Sequence, residues 1–504
     1  MRNVNTFRDS AFAMSQALPR REARTDNGMR ALASTLNANV DLFGSIGAMR
    51  GKNVIPAFER AYRENKDTAL RVAQWARDIR GGSGERKLFR DILLWLEAND
   101  PAILVESKLL DNVANIGRFD DLLIFTRGDV KGKAFGIIWK ALENRNGLAA
   151  KWMPRQGPVA AELRNWFGLT PKQWRKLLVR NTNVVETAMC NREFNSINFS
   201  HVPSVAMSRY MTAFHKRAPE AFTAYKAALK RGDKEVKVNA SAVFPYDVVR
   251  MVGGARGSNN HEGYGSTGYY ASLRNTPTYH ANGNEIVAQR MWEALPDYMD
   301  GTAVLPIVDV SGSMASAHVT DKVTALDVAV SLGLYCSEKS KNPAFKDMVM
   351  TFSDKPKLFN LSGSLTQRLA QMSVMSWGMN TNLHKALQLV LDTGLQGRVP
   401  DDQMPKVVVI LSDMQFDSCA QYDDSALQMI RRKYEAAGYS VPQIVFWNLN
   451  DHGGNKPVRF NEKGVALVSG FSPAIMKSVL AADLQQFTPE SVMLKTIGVE
   501  RYNW

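Results

Sequence analysis

The apolar positions of this chain follow two different periods, and the change falls near residue 300. Before it the spacing is helical. Phe58, Ala61 and Tyr62 fall at i, i+3 and i+4, and Leu88, Ile92, Leu93 and Leu96 repeat that spacing in the next segment. Short amphipathic helices with little strand signal, from about residue 29 to 230, predict an α-helical stack or solenoid. After residue 300, apolar runs appear at Val304–Val308, Asp347–Phe352, Val407–Leu411, Gln443–Trp447 and Gly464–Val468. Such runs are the signature of strands buried on both faces. Between them helical spacing recurs at about 320–337, 364–374, 382–392, 424–436 and 473–482, with one more helix at about 488–500. Strands alternating with helices predict a parallel sheet covered on both faces. The expected fold class is therefore α + α/β, an N-terminal α-helical module followed by a doubly wound parallel-sheet domain.

Two segments depart from these patterns. Residues 1–28 read as a polar, flexible, basic arm. The helical module then spans 29–300 and the α/β domain 301–504. Within the module, 252–284 is rich in Gly, Asn, Ser and Tyr and reads as a long loop. Helical spacing resumes at about Glu285–Leu295 and leads into the first strand.

Composition adds limits. A length of 504 residues accommodates two or more cores. No uninterrupted apolar run is long enough to span a bilayer. Arg20-Arg21 is followed by Glu22, Arg24, Thr25 and Asp26 where a twin-arginine signal needs an apolar segment. Cys190, Cys336 and Cys419 are scattered and give neither a disulfide framework nor zinc spacing. Cys336 falls in a buried-helix pattern and reads as core. These features fit a cytoplasmic protein. The net charge of +14 is uneven, because residues 301–504 hold equal numbers of basic and acidic side chains and the whole excess lies in 1–300. Such asymmetry points to a polyanionic partner, with plain solubility as the blander account.

Candidate chemistry clusters where predicted strands end. Asp309-Val310-Ser311-Gly312-Ser313 follows the first apolar run, Thr381 opens a helical stretch, and Asp413 closes the run Val407–Leu411. Ligands of open α/β sheets bind at such carboxyl ends. Two carboxylates and three hydroxyls are the hard oxygen donors that Mg²⁺ or Mn²⁺ accepts. The bland account is that the carboxylates cap loops and the hydroxyls cap the next helix. No His cluster shows metal or triad spacing, and His384, three residues after Thr381, reads as a helix-surface residue. Asp417 reads as a loop cap.

The densest basic stretch is 131–180, with Trp139, Trp152, Trp166 and Trp174 interleaved. Basic groups that track phosphates and aromatics that stack on bases suit single-stranded RNA. Its sharpest piece is Thr170 through Leu178. Thr170 reads as an N-cap and Pro171 as a first helical residue. Lys172, Arg175 and Lys176 then share one face, with Arg180 one turn on, while Trp174, Leu177 and Leu178 share another and read as core. Arg80–Gly84 lacks phosphate-loop spacing and reads as a helix–helix turn, with Arg80 and Arg86 as candidate backbone contacts.

Asp309, Ser311, Ser313, Thr381 and Asp413 together resemble the metal-ion-dependent adhesion site of a von Willebrand factor A domain. Three further segments carry a second resemblance. They are Ala76-Arg77-Asp78-Ile79-Arg80-Gly81-Gly82-Ser83-Gly84-Glu85-Arg86, then Gly117-Arg118-Phe119-Asp120-Asp121-Leu122-Leu123, and the stretch from Asn183 through Asn198-Phe199 to Val202-Pro203-Ser204-Val205-Ala206-Met207. Placed before a von Willebrand factor A domain, they resemble a family related to the TROVE-module Ro ribonucleoproteins. That resemblance implies a HEAT-like helical module closed into a ring that binds single-stranded RNA ends and small structured RNAs. It implies a non-enzymatic RNA-binding scaffold, with Mg²⁺ in the second domain and an acidic residue of a protein partner completing the metal's coordination. The alternative is a metal-dependent protein-interaction adaptor, the partner of an ATPase or other complex, without RNA. Neither reading involves a membrane.

Overall fold

The computed structural model describes residues 22–25, 30–182, 184–240, 243–252, 285–299, 301–320, 323–340, 342–352, 356–373, 382–416, 426–450, 454–482 and 486–504. The expected 252–284 loop therefore lies outside the described residues, except for Val252. So does most of the expected arm. Its described part is not an arm but strand β1 (Glu22–Arg24), paired antiparallel with β2 (Arg30–Leu32). Leu32 continues into a bridge with Lys456, far along the chain.

Helices dominate up to residue 293, as their spacing predicts. Those that position the sites are α1 (Ala38–Ile46), α2 (Lys66–Arg77), α3 (Arg86–Asn99), α4 (Leu109–Ile116), α5 (Gly147–Trp152), α6 (Pro171–Asn181), α7 (Pro245–Val252) and α8 (Glu285–Glu293). Local chemistry sets their starts. Asn37 accepts from the amides of Asn39 and Val40 at the head of α1, and Asn65 from Thr68 at the head of α2.

The turn between α2 and α3 shows why its glycines are there. The amides of Ser83 and Glu85 donate back to the carbonyls of Trp75 and Ala76, at 3.2 and 2.7 Å. A Cβ on Gly82 would lie 1.8 Å from the Trp75 carbonyl oxygen, and Gly84 sits at φ +71°. The segment closes a helix–helix turn.

Past residue 300 come β3 (Val304–Asp309), the short hairpin β4 (His318–Thr320) and β5 (Val323–Thr324), α9 (Ala325–Lys339), β6 (Met348–Phe352), β7 (Lys357–Asn360), α10 (Leu383–Gly397), β8 (Val407–Ser412), β9 (Gln443–Asn448), β10 (Val465–Ser469) and α11 (Pro489–Ile497). The sheet order is β10-β9-β8-β3-β6-β7. All five expected strands are present and mutually parallel. The sixth, β7, pairs antiparallel with β6 and makes the sheet mixed. It lies at the edge with half-exposed or exposed side chains, so it carries no apolar run to announce it.

The helical part is seamed to the sheet at both ends. On one side α1 lies against β10. Ser469 Oγ donates to the Phe43 carbonyl at 2.7 Å and accepts from the Gly47 amide at 3.0 Å. The backbones approach so closely that a Cβ on Gly47 would sit 2.6 Å from Gly470 Cα. On the other side α7 and α8 pack near α9, where Trp292 Nε1 donates to Glu338 at 2.8 Å and the Tyr335 hydroxyl to the Pro296 carbonyl at 2.6 Å. One contiguous apolar cluster runs from Val40 to Tyr502. Among the described residues, no helix is long and apolar enough to cross a membrane.

Candidate metal centre and basic face

The strand register brings the predicted acids together. β3 and β8 are adjacent and parallel, with Val308 opposite Leu411. Asp309 therefore falls beside Ser412, whose hydroxyl donates to Asp309 Oδ2 at 2.6 Å, and Asp413 follows at the carboxyl end. Asp309 Oδ1 accepts from the Ser311 amide at 2.9 Å, and Asp413 Oδ1 from the Gln415 amide at 3.2 Å. Asp309, Ser311, Ser412 and Asp413 are buried, while Ser313 is half-buried. Ser412 escaped the sequence reading. A serine just before a strand-ending acid carries no pattern of its own, and its role exists only across the sheet.

Two observations bear on what this cluster can hold. Ser311 is the N-cap of the short helix Gly312–Ser316, yet its side chain makes no capping hydrogen bond. Its Oγ lies 3.0 Å from Ser313 Oγ instead. Helix capping thus leaves the Ser311 hydroxyl outside its account. Burial first, and then the neighbouring Asp413 carboxylate, push Asp309 up to about 7. Two carboxylates enclosed so that each opposes the other's charge, beside paired hydroxyls, form a donor set that suits a hard divalent cation. Thr381, the fifth predicted position, lies outside the described residues, as does Asp417. The helix Thr381 was expected to open begins at Leu383, capped by Asn382, which accepts from the Lys385 amide at 2.9 Å. His384 is half-buried, and burial followed by Lys433 lowers its pKa. Cys336 is core, its thiol pushed up to about 12 by burial.

The basic face takes shape on α6. Thr170 and Gln173 form a reciprocal capping box and Pro171 occupies the first turn. Trp174 is fully buried, with Nε1 donating to the Pro154 carbonyl at 3.0 Å, so it packs and does not stack on a base. Lys172, Arg175, Lys176 and Arg180 are all exposed. Among the described residues none of the four enters a salt bridge. Other cations of the 131–180 stretch are compensated, Lys131 by Glu162 at 2.6 Å, Lys133 by Asp111 at 3.3 Å and Lys151 by Glu186 at 3.2 Å. Of the tryptophans there, Trp166 is 53% exposed and Trp152 is covered by the Arg118 guanidinium at 3.6 Å.

Arg86 has a different neighbourhood. It pairs with Asp120 and, at 3.3 Å, with Asp121, inside a cluster with Arg77, Arg90 and Arg118. Its charge is taken up within the protein. Arg80 is exposed, and among the described residues its guanidinium donates to the Asn115 carbonyl, at 3.2 Å.

The family described as Domain of unknown function (DUF2828) matches residues 25–144 and 158–302, and that described as Domain of unknown function (DUF7788) matches residues 303–499. An uncharacterized protein of Acanthamoeba polyphaga mimivirus is 26% identical over 533 residues, which cover 94% of this chain and 86% of that protein. The crystal structure of the Deinococcus radiodurans RO (RSR) protein aligns over 88% of this chain and 91% of its own at 15% identity, with a TM-score of 0.37.

Proposed function

We propose that this chain, which belongs to the family described as Domain of unknown function (DUF2828), is a non-enzymatic RNA-binding scaffold of Ro type. The observation that carries this reading is the face of α6, where four cations stand exposed without a salt bridge among the described residues. The uneven charge supports it, since the excess of +14 lies wholly in the helical half. Single-stranded ends or small structured RNA suit such a face, and Trp166, packed edge-on to Phe135, offers an exposed aromatic surface in the same stretch of chain. Arg80 remains a candidate contact. Arg86 contributes to folding instead, through Asp120 and Asp121.

The test is salt dependence. Fluorescence anisotropy with a single-stranded oligoribonucleotide should give a slope of log K against log salt of about −0.7 per phosphate contacted. Replacing Lys172, Arg175 and Lys176 by Ala should reduce its magnitude by up to about 2 and weaken all sequences alike. Equal affinity for blunt duplex and single strand would reject single-strand recognition, and affinity indifferent to salt would reject RNA binding. The adaptor reading would then stand, with the metal site as its docking point. The whole chain is needed for this measurement, because a cut near residue 300 opens both seams.

In the second half, Asp309, Ser311, Ser313, Thr381 and Asp413 would hold Mg²⁺ or Mn²⁺. Such a cation supplies a coordination position for an acidic residue of a protein partner. Asp309 must release its proton to serve there. Divalent affinity should therefore fall by about tenfold per pH unit below the value of about 7 reached by Asp309. Calorimetric titration with Mn²⁺ from about pH 8 to about pH 5.5 checks this, and a flat profile across that window removes Asp309 from the ligand set.

A further inference from the structure

A cavity of about 550 Å³ opens where the segment around Glu500–Asn503 lies against the turn after α2, the end of α4 and the start of α5. That is within the range of about 300–1,000 Å³ typical of small-molecule sites. One wall is fixed by bonds already made. Asn112 Nδ2 donates to Gln74 Oε1 at 2.7 Å and to the Arg501 carbonyl at 2.8 Å, and the Arg501 guanidinium clasps Asp78. What faces the opening is polar and incompletely engaged. Asn146 Oδ1 caps α5, accepting from Leu148 and Ala149 at 3.0 and 3.1 Å, and Asn503 Oδ1 accepts from Arg71 at 2.8 Å. Both leave an amide NH₂ with no bond among the described residues. Asn115 Nδ2 donates to Asn112 Oδ1 at 3.2 Å, and its own Oδ1 has no bond among the described residues. Arg80 and Glu500 are exposed and enter no salt bridge among the described residues. Leu148, 54% exposed, supplies an apolar face.

We propose that this cavity binds one nucleotide unit. The guanidinium of Arg80 takes the phosphate, as planar forked donors do. The Glu500 carboxylate accepts from the ribose hydroxyls, the role acids play in other nucleotide sites. The amide groups of Asn115, Asn146 and Asn503 offer both donors and an acceptor to a base edge, with the base lying on Leu148. The unit is either a free nucleotide or the terminal residue of a single-stranded RNA. Only the second source rests on the RNA-binding reading.

The test titrates the full chain with AMP, GMP, CMP and UMP, then with the matching nucleosides and deoxynucleotides, by calorimetry. At least one monophosphate should bind, and its nucleoside should bind about tenfold more weakly. Arg80→Ala should produce the same loss with the nucleotide. The preference for ribose over deoxyribose should vanish in Glu500→Gln. Leu148→Trp should fill the cavity and abolish binding, and since Leu148 is exposed the thermal midpoint should not move. If Arg80→Ala also weakens a short oligoribonucleotide while α6 is intact, the unit is an RNA terminus. If it weakens only the monophosphate, the ligand is a free nucleotide. Absence of binding by all four monophosphates, or binding unaffected by both Arg80→Ala and Leu148→Trp, overturns the proposal. Neither result touches the salt slope measured for α6.

Discussion

Asp121→Ala should lower the unfolding free energy by about 3–5 kcal/mol, the cost of breaking a buried ion pair from one side. Asp121 and Arg77 are 0% and 1% exposed and meet at 2.7 Å. The same carboxylate accepts from Arg90 at 2.6 Å, from Arg86 at 3.3 Å and from the Arg118 amide at 3.1 Å. It fastens α2, α3 and the 118–121 turn to one another. Burial alone would raise its pKa, but Arg77 and Arg90 prevail and hold it below the ordinary carboxylate value. A depressed pKa contributes stability that is present above the unfolded value of about 3.9 and is lost as pH falls through the folded one. Removing the carboxylate leaves the Arg77 guanidinium enclosed without its ion-pair partner. Urea denaturation of Asp121→Ala and Asp121→Asn measures the effect. A loss under about 1 kcal/mol in both would show that water reaches Arg77 and that the pair is not the fastening described.

Asp413→Asn should abolish stabilisation by Mg²⁺ or Mn²⁺ while leaving the fold intact. A single remaining carboxylate with neutral hydroxyls holds a hard dication poorly. The variant should also be no less stable than the parent in chelator at about pH 8. The reason is the sign of the Asp309 shift. A carboxyl raised to about 7 contributes stability below its unfolded pKa, and that stability is lost as pH rises through about 7. Much of the rise comes from burial, and part from the Asp413 charge that Asn removes. Asp309→Ala is the harsher change, because Ser412 and the Ser311 amide both lose their acceptor. Thermal melts with and without Mn²⁺ distinguish the cases. A midpoint shift of equal size in parent and Asp413→Asn would remove Asp413 from the site.

The parts of this protein that were legible in its sequence are those written in local periods. The run Val304–Val308 announces a strand because both faces of β3 are buried, and every residue of β3 and β8 is. Thr170 and Pro171 announce the start of α6 because capping needs only neighbours in sequence. A hydroxyl and carboxylate pattern at the ends of two strands singled out Asp309, Ser311, Ser313 and Asp413, and the fold places these residues near one another. β7 stayed hidden because an edge strand need not be apolar.

Only the tertiary structure could decide what required distant segments to meet. It set Ser412 on Asp309, and it placed Arg86 between Asp120 and Asp121. It left the α6 cations without a salt bridge among the described residues while giving Lys131, Lys133 and Lys151 carboxylate partners from other elements. It brought Arg80 and Glu500, which lie far apart in the chain, to the lining of one cavity. The physical reason is common to all four. Periodicity records which face of an element is buried, whereas the sign and distance of the neighbouring charge depend on which other element covers that face.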